Sequence, residues 1–373
     1  MNRIYLDFNA STPIAPEVAD AMQPFLTEHF GNPSSRHWAG APAKDAVERA
    51  RAEVAGLLGC DPSEIVFTSG GSESNNHAIK GIFFASRRDN PHIVTTQVEH
   101  PAVLNPCRFL ERLGAEVTWL RVDRYGMVEP DDVRRAITDQ TILVTVMHAN
   151  NETGTIQPIR EISRIVHERG IIFHTDAAQS VGKIRTRVEE LGVDLLSVAG
   201  HKLYAPKGVG ALYVRKGTVL EPFVHGAGHE SGRRAGTENV LLDVGLGAAS
   251  ALAGSWLESP SIRVLRDRLW NRFREVLGEQ VVLNGHTDQR LPNTLNVSFV
   301  GRIGAEVLTT LEGVAASTGS ACHEGRHEMS PVLRAMGLRP EVGLGAVRFS
   351  LGRTTTEREV DEVADKISGL LGK

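Results

Sequence analysis

The sequence predicts an α/β fold: a large domain built on a mostly parallel seven-stranded sheet, followed by a smaller α+β domain. Three observations predict it. Short β-branched runs alternate with amphipathic helical stretches from about residue 15 onward. Those runs are apolar on both faces, as strands covered by helices on both sides must be. After about Leu257 the rhythm changes to long helices with a few separated strands.

The predicted strands of the large sheet are 64–68, 92–96, 116–120, 142–146, 171–174, 194–198 and 210–214, with helices at 41–58, 73–87, 101–113, 130–137 and 160–169 between most of them. The last two strands are joined by a Gly/Pro-containing loop without a helix (201–208), which predicts an antiparallel partner rather than another crossover. Beyond a boundary near 255–260 come a helix at 262–277, strands at 295–300 and 347–351, and a closing helix at 357–371. The division expected is residues 16–258 for the large domain and 1–15 with 259–373 for the small one.

Composition narrows the function classes. Lys and Arg number 41 against 45 Asp and Glu, a net charge of −4, so no general basic footprint for nucleic acid or an acidic membrane surface is expected. The best apolar run, 240–252, is interrupted by Asp243, Gly245 and Gly247, and no membrane span is expected. Met1-Asn2-Arg3 runs directly into Ile4-Tyr5-Leu6-Asp7 without an apolar leader, so no secretion signal is expected. Three cysteines, Cys60, Cys107 and Cys322, cannot form a disulfide framework in so long a chain and point to a reducing, cytoplasmic setting.

Ligands of open α/β sheets sit beyond the carboxyl ends of the strands. After the first strand comes Ser69-Gly-Gly-Ser-Glu-Ser-Asn-Asn76, which opens a helix and offers backbone N–H groups and hydroxyls to an anion; a plain Gly-Gly turn with a Ser cap is the bland alternative. It is neither a dinucleotide fingerprint nor a P-loop. After the fifth comes Asp176, an acid at the end of a buried strand that either caps the next helix or holds a protonated ring nitrogen, with Gln179 as a nearby polar handle. After the sixth comes Ala199-Gly-His-Lys202, where an amine next to a buried strand loses water and its pKa falls. An anion cradle, a buried Asp and a lysine in this order are the set that pyridoxal phosphate requires: phosphate grip, ring protonation and Schiff base.

A fourth feature lies in the second domain. Ser317-Thr-Gly-Ser-Ala-Cys322-His-Glu-Gly-Arg-His327 sets a cysteine on a small-residue loop among His323, Arg326 and His327, an electropositive setting that favours the thiolate. Cys60 and Cys107 stand in apolar or helical contexts and read as packing residues. A metal site from Cys322, His323 and His327 lacks a partner carboxylate pattern and is disfavoured.

With these motifs in hand the chain resembles the cysteine desulfurases of the NifS/IscS type, in the class-V aminotransferase branch of fold-type I (aspartate aminotransferase-like) pyridoxal phosphate enzymes. The resemblance is carried over nearly the whole length by Tyr5-Leu-Asp-Phe-Asn-Ala-Ser-Thr-Pro13, Gly31-Asn-Pro-Ser-Ser35, Phe67-Thr-Ser-Gly-Gly-Ser-Glu-Ser74, Val98-Glu-His100, Asn150-Asn-Glu-Thr-Gly154, His174-Thr-Asp-Ala-Ala-Gln179, Gly200-His-Lys202, Gly236-Thr-Glu-Asn239, Gly319-Ser-Ala-Cys322 and Arg348-Phe-Ser-Leu-Gly-Arg353.

The resemblance implies roles. Lys202 would bind the cofactor covalently, Asp176 would pair with its ring nitrogen, and His100 would stack on the ring and take part in proton transfer. Gln179 and Asn151 would contact the phenolic oxygen and the substrate side. Gly71, Ser72 and His201 would hold the phosphate, with Thr237 supplied by a second subunit of a homodimer. Arg348, by itself readable as a surface strand residue, would grip the substrate carboxylate. Cys322 would take sulfur from L-cysteine as a persulfide, leaving alanine, and pass it to an acceptor protein, an iron–sulfur scaffold or a thiolation system. The 26 positions from Cys322 to Arg348 match members with a long delivery loop. A transient iron–sulfur cluster at Cys322 is the one metal contact the resemblance leaves open.

Two departures stand out: Ala199 occupies a position where the family commonly has Ser, and His323-Glu324 follows the loop cysteine where Thr-Ser is usual. The second departure also resembles the selenocysteine lyases, which share fold and cofactor and form the alternative reading. A non-catalytic scaffold on the same fold is a third, opposed by the presence of Lys202, Asp176, His100 and Arg348.

Overall fold

In the computed structural model the described residues are 3–257, 261–319, 322–323 and 326–371, and for Cys322, His323, Arg326 and His327 the description covers the backbone alone.

The central sheet has seven strands: β1 (Ile65–Thr68), β2 (His92–Thr96), β3 (Glu116–Leu120), β4 (Thr141–Thr145), β5 (Ile172–Asp176), β6 (Leu195–Ala199) and β7 (Gly210–Val214). Their spatial order is β1-β7-β6-β5-β4-β2-β3. Strands β2 to β6 pair in parallel, and β7 is antiparallel to both β6 and β1, as the helix-free connection predicts. β1 therefore runs the same way as the parallel strands, and six strands deliver their carboxyl ends to one edge.

Period-two alternation explains why the strands read as apolar throughout. Ile65 and Phe67 face one core with Val94, Phe173 and Leu196, while Val66 faces the other with Ile93, Leu143 and Leu195. Helix Gly40–Leu58 covers the first face through its Val47, Val54 and Leu58 stripe and ends at Gly59, whose left-handed backbone (φ 70°) closes the turn. Helices Gly71–Ala85 and Pro101–Glu111 cover the second face, Cys107 being wholly buried among Ile79, Val103 and Leu110. The run at 240–252 forms a helix, Val240–Gly254, capped by the Asn239 side chain.

The remaining chain builds a second core. Strands β8 (Val281–Asn284), β9 (Thr294–Phe299) and β10 (Ala346–Ser350) form an antiparallel sheet in the order β10-β9-β8. Leu295, Val297 and Phe349 pack there against Leu269 and Phe273 of helix Ser261–Leu277 and Val363 and Ile367 of helix Glu357–Leu371. Ile4 and Leu6 enter the same core, and strand Ile4–Tyr5 pairs in parallel with Val314–Ala315. Strand β8 has no counterpart in the sequence reading. It is a four-residue edge strand with Val282 turned to solvent, too short and too exposed to register as a periodic signal.

β1 lies at the rim, and its outer backbone needs partners. The buried Glu230 carboxylate accepts from the Phe67 amide at 2.8 Å and from both Arg51 guanidinium ends at 2.7 and 2.8 Å. Arg51 also donates to the Ile65 carbonyl at 3.0 Å. The pair thus fixes the strand that leads into the 69–72 turn. Removing one member leaves a buried charge uncompensated, so Arg51→Met should lower stability by about 3–5 kcal/mol in urea unfolding. A loss under about 1 kcal/mol would mean the strand is held by other means.

Candidate active site

Each informative residue follows one of the co-directed strands. Ser69–Ser72 follow β1; there Gly70 takes a backbone only glycine readily adopts (φ 140°) and helix Gly71–Ala85 begins. Its first-turn N–H groups have no intrahelical acceptor and point, with the helix dipole, into the cleft. A Cβ on Gly71 would come within 3.1 Å of the Ala199 methyl, so the two residues are in close contact across the cradle. Ser197, the other hydroxyl near Ala199, is fully buried and bonded to His174 Nε2 at 3.0 Å, so it is no substitute for a hydroxyl at 199.

His100 follows β2 and caps helix Pro101–Glu111: its Nδ1 accepts the Ala102 amide at 3.1 Å. The neutral ring therefore carries its proton on Nε2. Burial lowers the His100 pKa, with Asp176 acting against that and Lys202 with it. Asp176 closes β5 as its last residue, its carboxylate fixed by Asn75 Nδ2 at 2.7 Å and the Ala178 amide at 2.9 Å. Lys202 ends the single 3-10 turn Gly200–Lys202 after β6. Its Nζ donates to the carbonyls of Asn9 at 2.6 Å and Ala10 at 2.8 Å, neither of which carries a charge. Desolvation, helped by Arg348 and opposed by Asp7 and Asp176, brings the Lys202 pKa down to about 8.

These groups line one cleft of about 550 Å³, together with Gly71, Ser72, Asn151, Gln179, His201 and Arg348. Three of its walls carry buried polar atoms without a protein partner: Asn151 Oδ1, His201 Nδ1 and Arg348 Nε. Burying such atoms costs free energy unless a ligand completes them, so the lining is made for a polar ligand. An anion cradle, an acid at the opposite side, a desolvated amine and orphaned donors and acceptors fit pyridoxal phosphate group by group.

Of the residues the sequence singles out, Arg348 lines the cleft and Thr237, expected from a second subunit, does not. Arg348 is no surface residue: only 8% exposed, it sits on β10 with Nη2 on Asp7 at 2.7 Å and Nη1 on the Asn151 carbonyl at 2.9 Å. Thr237 is exposed and does not line the cleft of its own chain. The Cys322 side chain lies outside the described residues. Its backbone belongs to the short strand Cys322–His323, paired with Arg326–His327, and upstream Ser317 exchanges backbone bonds with Arg348 at 2.7 and 3.1 Å. Five residues of chain, at most about 17 Å, separate that anchor from Cys322.

Several residues of the site were not singled out in the sequence: Asn9, Asn75, Asp7, Glu152 and Lys183. Asn9 and Asp7 arrive on the segment after the amino-terminal strand and Asn75 on the cradle helix, inside runs already noted in the sequence. Glu152 accepts from Ser330 Oγ at 2.5 Å, and its carboxylate lies where a Cβ on Gly319 would fall, so it touches both stems of the 319–330 segment. Burial raises its pKa to about 7, against the Ser330 bond and Arg348.

Comparison with known proteins agrees with this geometry. Residues 4–363 match the family model described as aminotransferase class-V, and the chain belongs to that family. A protein of Dictyoglomus turgidum named cysteine desulfurase IscS is 49% identical over 99% of this chain and 95% of its own length. One of Methanosarcina thermophila with the same name is 48% identical over 99% and 92%. A solved NifS-like protein superposes with a TM-score of 0.93 at 38% identity, covering 99% of both chains. A solved structure of SspA in complex with cysteine gives 0.83 at 40% identity over 93% and 98%. Within the class-V family, then, the chain belongs to the cysteine desulfurases of the NifS/IscS type.

The lowered Lys202 pKa makes a direct prediction. The amine is protonated below its midpoint and nucleophilic above it, so acylation of Lys202 in the apoprotein, followed by peptide mass spectrometry, should rise with a midpoint near pH 8 rather than the ordinary 10.5. Arg348→Met, which removes a neighbouring cation, should move that midpoint upward. A Lys202 midpoint at the ordinary value would show that the amine is solvated.

Proposed function

We propose that the protein is a pyridoxal phosphate-dependent cysteine desulfurase, converting L-cysteine to L-alanine and loading the sulfur on Cys322 for delivery to an acceptor protein. The observation that carries the reading is the Lys202 amine, desolvated and sharing one cleft of unpartnered polar walls with the fixed Asp176 carboxylate.

When bound, pyridoxal phosphate supplies an aldehyde and an electron sink. Lys202 Nζ would hold it covalently, and the same desolvated amine would serve as a base. The Ser69–Ser72 turn and His201 hold the phosphate, and Asp176 keeps the ring nitrogen protonated. His100 packs on the ring with its Nε2–H free of the helix cap. Asn151 and Arg348 take the substrate carboxylate, Arg348 through the edge that Asp7 and the Asn151 carbonyl leave open. In the overall transfer the substrate's carbon–sulfur bond breaks, a sulfur–sulfur bond to Cys322 forms, and a proton completes alanine.

The wider reading follows the same logic. Residues 16–258 form the cofactor domain, and 1–15 with 259–373 the domain that carries Cys322. Exposure of Thr237 outside its own cleft supports a homodimer in which it completes the partner's phosphate site. Unpaired Cys60 and Cys107 support a reducing, cytoplasmic setting. Among the described residues no helix is long and apolar enough to cross a membrane.

Purified protein given pyridoxal phosphate should colour and form alanine from cysteine. Cys322→Ala should keep the colour while sulfur release falls at least a hundredfold, even if selenium release from selenocysteine survives; undiminished sulfur release would remove Cys322 from the reaction. Ala199→Ser restores a hydroxyl against the Gly71 turn, and should tighten pyridoxal phosphate about three- to tenfold by equilibrium ultrafiltration, as one added hydrogen bond does. No tightening would place the phosphate elsewhere.

A further inference from the structure

Behind the cleft lies a second cavity of about 350 Å³, which shares Lys202 as a wall and is lined by Lys183. Lys183 itself does not line the cleft. Its amine points at two neutral amides, donating to Gln179 Oε1 at 2.8 Å and Asn9 Oδ1 at 3.0 Å. Nζ is the donor in both contacts, so the oxygen end of each amide faces it. Gln179 Nε2 in turn donates to the Asn9 carbonyl at 3.0 Å, the same oxygen that receives Lys202 Nζ at 2.6 Å. The Asn9 side chain is saturated. Its Oδ1 also accepts from Asn293 at 3.0 Å, and its Nδ2 donates to Thr294 Oγ1 at 2.9 Å and the Asn151 carbonyl at 3.3 Å.

A glutamine amide has two orientations of nearly equal shape and opposite polarity. Here both ends are determined: the oxygen is taken by Lys183, and the NH2 group faces an acceptor-only carbonyl. Its second N–H is left for the cleft that Gln179 lines. We propose that Lys183 is a positioning residue, acting from behind the site through Gln179 and Asn9, that fixes Gln179 as a hydrogen-bond donor to the ligand's anionic phenolic oxygen and holds the Asn9 carbonyl against Lys202.

This rests on the reading of the cleft as a pyridoxal phosphate site. With the amide inverted, its oxygen would oppose a phenolate, which repels. The charged groups that bear on Lys183 are Lys202 and Arg348, both cations, and together with burial they lower its pKa well below the ordinary value. Those forces favour the neutral amine, which still has the N–H donors for both amide oxygens, and no acid holds it.

The test uses the holoenzyme and reads two quantities besides turnover: the pyridoxal phosphate dissociation constant and the pH midpoint of the visible absorption band. A donor on the phenolic oxygen draws charge from it and weakens its hold on the neighbouring proton, so losing the donor raises the midpoint. Lys183→Met should raise it by about one unit and weaken retention about tenfold, the loss of one hydrogen bond. Lys183→Arg, which keeps donors, should return both toward the parent. Gln179→Glu, which keeps the Lys183 contact but has no N–H, should reproduce the shift, and the double variant should add nothing further. A Lys183→Met enzyme with the parent's midpoint and affinity overturns the proposal, as do additive effects. Should Lys183→Met fail to fold, Gln179→Glu with an unshifted midpoint overturns it equally. A parent protein that takes up no pyridoxal phosphate overturns the cofactor reading itself, a distinguishable result.

Discussion

The site depends on one amine kept short of water. Lys202 donates to two backbone carbonyls, Asn9 and Ala10, and to no carboxylate. Carbonyls satisfy an ammonium's hydrogen bonds without repaying much of its lost hydration, so the free amine gains relative to the cation. A carboxylate in the same place would have fixed the charge and removed the nucleophile. Asp176 and Asp7 act on Lys202 only through space, and each already has fixed partners, Asn75 for one and Arg348 and Ser317 for the other.

Both carbonyls arrive on the amino-terminal segment, whose Ile4 and Leu6 are locked into the second core while its Asn9 reaches the edge of the first sheet. Arg348 comes from the second core as well, on a strand whose neighbours are bonded to Asn9 and Leu6. The cleft is therefore a seam: the large sheet supplies the cradle, Asp176 and Lys202, and the second core supplies the groups that tune them. Glu152 extends the seam to the two stems of the segment that bears Cys322.

The sheet was legible because burial on both faces writes itself as unbroken β-branched runs, and the chemistry because it follows the strand ends. Even so, strand boundaries moved by one or two residues: Asp176 is the last residue of β5, where its backbone joins the ladder and its carboxylate is aimed by that ladder. What was not legible is whatever joins distant parts of the chain. Lys183 and Asn9 are 174 positions apart and share no period, and nothing local to Lys183 distinguishes it from a solvated lysine. Arg348 reads as an exposed strand residue because its partner Asp7 is 341 positions away. Strand β8 escaped because it has only four residues and one of them, Val282, faces solvent.

The same physics that frees the amine silences two of the three thiols. Cys107 is wholly buried among aliphatic side chains and Cys60 is partly buried; desolvation, with Glu99 and Glu111 acting on Cys107 and Glu64 and Asp61 on Cys60, pushes both thiols up to about 12. Both shifts disfavour the thiolate, which is the nucleophile. Neither side chain lines the cleft. Cys322 is the one cysteine that remains, and it stands five residues from a backbone pairing with Arg348, the group assigned to the substrate carboxylate. Burial of the other two thiols and the short tether both support the proposed role of Cys322 as the sulfur acceptor.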